Sequence, residues 1–193
     1  KTGEAEVMAQ SGIQDIFIAN EIVGEIKLRR IAALAKQNVN IAFGVDTPCQ
    51  VTAAERVFAA ENVTIPVLIE IEVGENRSGV IEEADFLTLL DTIRDCPHVV
   101  FGGIFSHDGN SYGAADLDAL NALSEGAQRR TLHFAALAAQ RDRRHIGRVG
   151  FEQDALERNG LGDLHGFARV FERHHAADSD VKPEPDKQAR HLG

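Results

Sequence analysis

Four short apolar runs, separated by stretches with helical periodicity, constrain this chain more than any other feature. They are Asp15-Ile-Phe-Ile-Ala-Asn20, Val39-Asn-Ile-Ala-Phe-Gly-Val-Asp46, Pro66-Val-Leu-Ile-Glu-Ile-Glu-Val73 and Val99-Val-Phe-Gly-Gly-Ile-Phe-Ser106, recurring at intervals of roughly 25 to 33 residues. Strands written as near-continuous apolar runs are buried on both faces, which in practice means a parallel sheet covered by helices. The intervening segments suit that role. Glu4 to Gly12 reads as a helix stopped by a glycine, and Glu21 to Gln37 places Ile22, Ile26, Ile31 and Leu34 on one helical face. Thr47 and Pro48 form an N-cap and first-turn pair for a helix to about Asn62. Ile81 to Asp95 and Ala114 to about Arg141 are two further helices.

A repeating β/α unit of this length fits a TIM-type barrel or a doubly wound sheet. No Gly-x-Gly-x-x-Gly follows any of the four runs, which weakens the dinucleotide-binding version. The expected fold is therefore α/β, a partial TIM-type barrel. Eight units need about 250 residues, and this chain of 193 shows four strands.

Charge marks a boundary near residue 140. Residues 1–140 carry 10 Lys/Arg against 20 Asp/Glu, whereas residues 141–193 carry 10 of each and five of the eight His. The expected division is a partial barrel over 1–140 and an irregular or helical tail over 141–193, disordered or from a misread frame. An acidic chain without a basic stripe is a poor match for nucleic acid. No apolar run approaches the roughly 20 residues that cross a bilayer. Cys49 and Cys96 are too few for a disulfide scaffold, so both are expected as thiols in a reducing, cytoplasmic setting. His165, His174, His175 and His191 in the tail lack carboxylates in a clear helical register, and no metal site is expected from them.

In parallel α/β folds chemistry collects where the strands end, because the following loops converge on one face. The four runs end at Asn20, at Asp46, at Glu75-Asn76-Arg77 and at His107-Asp108-Gly109-Asn110-Ser111-Tyr112. Asn20 and Asp46 suit loop or cap roles, and Arg77 suits either a surface ion pair or a ligand contact. The last cluster groups an imidazole, an amide, a hydroxyl and a phenol between glycines that allow a sharp turn or a close approach.

Three segments now bear on a family: Thr2-Gly-Glu-Ala-Glu-Val-Met8, Ile71-Glu-Val-Gly-Glu-Asn-Arg-Ser-Gly-Val80 and Gly103-Ile-Phe-Ser-His-Asp-Gly-Asn-Ser-Tyr-Gly113. In order and spacing they resemble the alanine-racemase-like pyridoxal-phosphate barrel, within it the D-serine dehydratase and D-threonine aldolase branch. The resemblance implies pyridoxal phosphate as an electron sink for a carbanion at the substrate α-carbon, with zinc or another divalent metal assisting at the β-hydroxyl. It implies Arg77 near the ring oxygen, His107 and Tyr112 beside the ring as candidate catalytic groups, and Asn110 as a further cofactor contact. Where many relatives carry Tyr, this chain has Phe105.

The resemblance also sets expectations about what is missing. The Schiff-base lysine of such enzymes ends the first barrel strand, ahead of the Thr2 motif; Lys1 abuts that motif, and Lys27 and Lys36 fall on a helix. No cysteine follows Cys96 to build the His-x-Cys metal pair of the family's second domain. The expectation is a fragment of an enzyme acting on a D-hydroxy-amino acid, D-serine dehydration ahead of D-threonine cleavage, inactive on its own. A non-catalytic remnant or binding module is the alternative, and an intact enzyme of this kind is expected to be a homodimer.

Overall fold

The computed structural model describes residues 1–143. In chain order these form α1 (Thr2–Gln10), β1 (Asp15–Glu21), α2 (Glu25–Ala35), β2 (Asn40–Val45), α3 (Pro48–Glu61), β3 (Ile65–Ile71), α4 (Glu83–Arg94), β4 (Val99–Ser106), a 3₁₀ turn (Gly109–Gly113) and α5 (Leu117–Arg143). The four strands make one parallel sheet in the order β1-β2-β3-β4. That order never reverses, so the connecting helices share one face, as in a barrel wall. A doubly wound sheet would reverse direction partway. The expected α/β partial barrel is what the chain forms.

The helix-facing side is the core. Ile16, Ile18, Ile41, Phe43, Val67, Ile69 and Ile104 from the strands pack with Leu28, Ile31, Val51, Phe58, Phe86, Leu90 and Phe134 from the helices, all buried. The other side of the sheet is concave. There Phe17 of β1 meets Phe105 of β4 edge to face, ring centroids 5.0 Å apart. Three inter-strand spacings of about 4.8 Å separate β1 from β4, so the two rings lean toward each other over β2. Gly44 lies beneath them: a Cβ there would stand 2.8 Å from the Phe105 ring. The Phe105 ring sits where only a bare Cα leaves room.

Local signals place most elements. Gly12 follows α1 at φ 91° and its N–H returns to Ala9 O, closing the helix as expected of a terminal glycine. Thr47 caps α3 with Pro48 at the first helical position, and Asn62 ends that helix in the left-handed region. One helix departs from its sequence pattern. The strand continues to Glu21, Gly24 turns the chain at φ 101°, and α2 begins only at Glu25. Ile22 is buried from the loop, whereas Ile26 is 79% exposed and does not join Ile31 and Leu34. Periodicity pairs Ile22 with Ile26 across the glycine break that in fact separates them. The last helix likewise starts at Leu117 rather than Ala114, after the 3₁₀ turn, and it runs past residue 140 to Arg143. Its end is tied back to α4 by Arg141, whose guanidinium bonds the Asp91 carboxylate.

Residues 144–193, including His165, His174, His175 and His191, lie outside the described residues. Among the described residues no helix is long and apolar enough to cross a membrane.

These placements predict opposite outcomes for two truncations. Phe58→Ala should cost about 3–5 kcal/mol, and Ile26→Ala less than about 0.5 kcal/mol. Urea unfolding midpoints of the two variants check the assignment.

Candidate functional site

The ends of β3 and β4 bring the expected residues together. After Ile71 the chain makes an excursion and returns at Val80, which pairs with Ile71 in a parallel bridge. Val80 N–H donates to Glu70 O at 2.8 Å and Glu72 N–H to Val80 O at 3.1 Å, closing the neck of the loop. Within it, Glu72 Oε1 accepts from the N–H groups of Gly74 (2.6 Å) and Asn76 (2.7 Å). Two outside groups brace the same loop. Gly79 N–H donates to Asp46 Oδ2 at 3.2 Å, and Arg130 of α5 donates through Nε to Glu72 O at 2.6 Å and through a terminal nitrogen to Ile81 O. Arg130 itself lies over the Phe134 ring, 5.2 Å from its centroid.

That scaffold presents Arg77. Its side chain is 54% exposed, with Glu75 Oε2 at 3.4 Å from one terminal nitrogen and Glu70 Oε1 at 3.9 Å from the other. His107 enters from β4 with Nε2 3.8 Å from the same Glu75 oxygen. Tyr112 stands beside it, ring centroids 6.0 Å apart, and is 84% exposed. Arg77, His107 and Tyr112 thus share one rim.

Asn110 does something else. Its amide lies against the β3 loop, where a Cβ on Gly74 would stand 2.5 Å from Nδ2, and its Oδ1 is buried with no hydrogen-bond partner among the described residues. The amide of Asn110 thus packs between the two loops, with an acceptor oxygen left over for a further donor. Asp46, expected as a cap or loop residue, braces its surroundings with both oxygens. Gln50 Nε2 donates to its Oδ1 at 2.8 Å while its Oδ2 holds Gly79. Asn20 is exposed on β1.

Sequence reasoning missed a carboxyl pair on the concave face. Glu70 is 4% exposed, and Glu21, on the far side of Gly44, buries Oε1 with no hydrogen-bond partner for that atom among the described residues. Burial, then a hydrogen bond with Glu70, and then the charges of Glu70 and Asp46 push the Glu21 carboxyl up to about 8. At neutral pH Glu21 therefore keeps its proton. The alternation Ile-Glu-Ile-Glu over 69–72 is the signal that could have found Glu70; Glu21 was hidden by its assignment to a helix. Among the described residues no three His, Cys, Asp or Glu side chains come together as a metal site.

The donor set suits the oxygen-bearing edge of an anionic aromatic ring. A guanidinium with two restrained nitrogens offers charge-assisted hydrogen bonds to a phenolate, and an exposed phenol and an imidazole flank it. Of the described lysines, Lys36 bonds Glu61 at 2.6 Å, Lys27 lies on α2 and Lys1 precedes α1.

The model of the alanine racemase N-terminal domain family matches residues 1–150. The chain belongs to that family. Family membership supports pyridoxal phosphate as the cofactor. The chain is 36% identical over 110 residues to a D-threonine aldolase from Arthrobacter sp, covering 57% of this chain and 29% of the relative. Among solved structures, a D-threonine aldolase from Filomicrobium marinum superposes with a TM-score of 0.68 at 32% identity, over 72% of this chain and 38% of that one. A D-threo-3-hydroxyaspartate dehydratase mutant superposes with a TM-score of 0.66 at 25% identity, over 74% and 36%. The chain thus spans about three-tenths of the curated relative and less than two-fifths of the solved chains.

The Glu21 carboxyl gives a pH prediction. Its proton is held more tightly in the folded chain than in the unfolded one, where it leaves near the ordinary value of 4.5. Stability from this group is complete below 4.5 and declines as pH rises through about 8. Glu21→Gln should raise the melting temperature at pH 8 by roughly 2–4 °C and leave it nearly unchanged at pH 4. Equal shifts at both pH values would contradict the assignment.

Proposed function

We propose that residues 1–143 form one sector of the active site of a pyridoxal-phosphate-dependent lyase acting on β-hydroxy D-amino acids. The observation that carries this reading is the convergence of Arg77, His107 and Tyr112 on one rim of a curled parallel sheet. The bound cofactor would supply an electron sink for the pair left at the substrate α-carbon when a bond to that carbon breaks. In this reading the chain's own groups bind and orient. Arg77 holds negative charge on the ring oxygen, and its restraint by Glu75 and Glu70 limits the reorganisation needed when the ring arrives. His107 would exchange a proton with a group seated between it and Tyr112, and the Tyr112 phenol would donate a hydrogen bond to it.

The choice of bond is a finer matter. D-serine dehydration is the reaction that the His107–Gly113 loop favours by resemblance. The identities to D-threonine aldolases, 36% and 32%, favour cleavage between the α- and β-carbons instead. Dehydration is the second reading, supported by the 25% identity to a D-threo-3-hydroxyaspartate dehydratase. We place the aldolase first. A divalent metal at the β-hydroxyl and a homodimeric enzyme belong to the same proposal, as does a cytoplasmic setting, consistent with the unpaired thiols of Cys49 and Cys96.

The products separate the readings. The intact protein, supplied with pyridoxal phosphate and a divalent metal, should convert D-threonine to glycine and acetaldehyde. Formation of 2-oxobutanoate and ammonia, or of pyruvate and ammonia from D-serine, would favour dehydration. No turnover of either substrate would overturn the lyase proposal. Arg77→Ala should lower kcat/KM at least about 100-fold.

A further inference from the structure

One carboxylate between the two site loops is given no catalytic or cofactor-binding role by the family resemblance. Glu75 Oε2 lies 3.4 Å from Arg77 and 3.8 Å from His107, so a single side chain touches the chief groups of both loops. Half-exposed ion pairs of this kind are individually weak, about 0–1 kcal/mol each. Charge alone would not fix their geometry.

Packing does. A Cβ on Gly109 would stand 2.4 Å from Glu75 Oε1 and 2.6 Å from its Cδ, so the carboxylate rests directly against the backbone of the β4 loop. The arrangement is reciprocal. Asn110 of the β4 loop rests against Gly74 of the β3 loop, where a Cβ would stand 2.5 Å from its amide. Each loop has a glycine where the other inserts a polar side chain. The next residue on each side completes the clasp: Gly74 with Glu75, Gly109 with Asn110. Behind Glu75 the β3 loop is held by Asp46, by Arg130 and by Glu72, so its position is set from three directions.

We infer that Glu75 is a positioning residue: wedged against Gly109, its carboxylate holds Arg77 and His107 in one mutual orientation before any ligand arrives. This rests on the proposed function only in what the rim is for; the clasp itself is a property of the unliganded chain. A preset guanidinium and imidazole spare a ligand the cost of ordering two long or rotatable side chains.

The test has an unliganded arm and a catalytic arm. In the unliganded chain, side-chain NMR relaxation at Arg77 Nε–Hε and at the His107 ring reports their order directly. In Glu75→Gln, which keeps the shape and removes the charge, both order parameters should fall by about a third or more, with the melting temperature within a few degrees of wild type. Gly109→Ala should produce the same loss by pushing the carboxylate off its seat, and it serves if the first variant fails to fold. Glu125→Gln, which breaks only the exposed pair with Arg129, should leave both signals unchanged. In the intact protein Glu75→Gln should lower kcat by about tenfold with KM for D-threonine within about twofold, and Glu75→Asp should recover part of the loss. Unchanged order at Arg77 and His107 in both Glu75→Gln and Gly109→Ala would overturn the inference. An intact wild-type protein without lyase activity would overturn the proposed function instead, and the unliganded arm would still decide the role of Glu75.

Discussion

The contact on which the rest of this structure depends is Phe105 leaning from β4 across the bare Cα of Gly44 to meet Phe17 of β1. A Cβ at residue 44 would stand 2.8 Å from the Phe105 ring and crowd that contact. The curl aims the loops after β3 and β4 inward, toward a common axis rather than apart. Arg77, His107 and Tyr112 are neighbours because β3 and β4, which they follow, are adjacent strands. The same curl brings Glu21 and Glu70 to face one another on the concave side, where burial makes one of them keep its proton.

The electrostatic work of the rim is shared unequally among its parts. Arg77 brings the positive charge, and two carboxylates of different burial restrain it. Glu70, inside, is fixed by the strand; Glu75, outside, is fixed by the opposing loop. Asp46 and Arg130 touch no candidate ligand group, yet they hold the loop that carries Arg77. The rim is a braced surface in which the residues that would meet a ligand are outnumbered by their supports.

Much of this was legible in the residues. The continuous apolar runs pointed to the parallel sheet, and the Thr47-Pro48 pair and Gly12 marked helix ends, because those signals are local and steric. The concentration of polar residues after the third and fourth runs located the rim, since chain topology places strand ends together. What escaped was set by tertiary geometry. Ile26 has helical periodicity but faces solvent, because Gly24 delays the helix. Glu21 reads as a helix start and is in fact a strand residue opposite Gly44. Asn110 packs its amide against Gly74, a contact that depends on two loops far apart in the chain meeting. Glu75 reads as a loop charge beside Arg77, and only the closeness of Gly109 shows that it is wedged.

The central claim, that the β3 and β4 loops form one preformed site for a phosphorylated pyridine ring, is tested most directly by amide and side-chain shift mapping with pyridoxine 5′-phosphate. That probe has the ring, its oxygen and the phosphate but no aldehyde, so it cannot attach to surface lysines. Saturable shifts confined to Arg77, His107, Tyr112 and the flanking residues 74–76 and 109–113 are expected. Shifts clustered instead around Lys27 and Lys36 at the α2 face, or no saturable shifts at the rim, would contradict the claim.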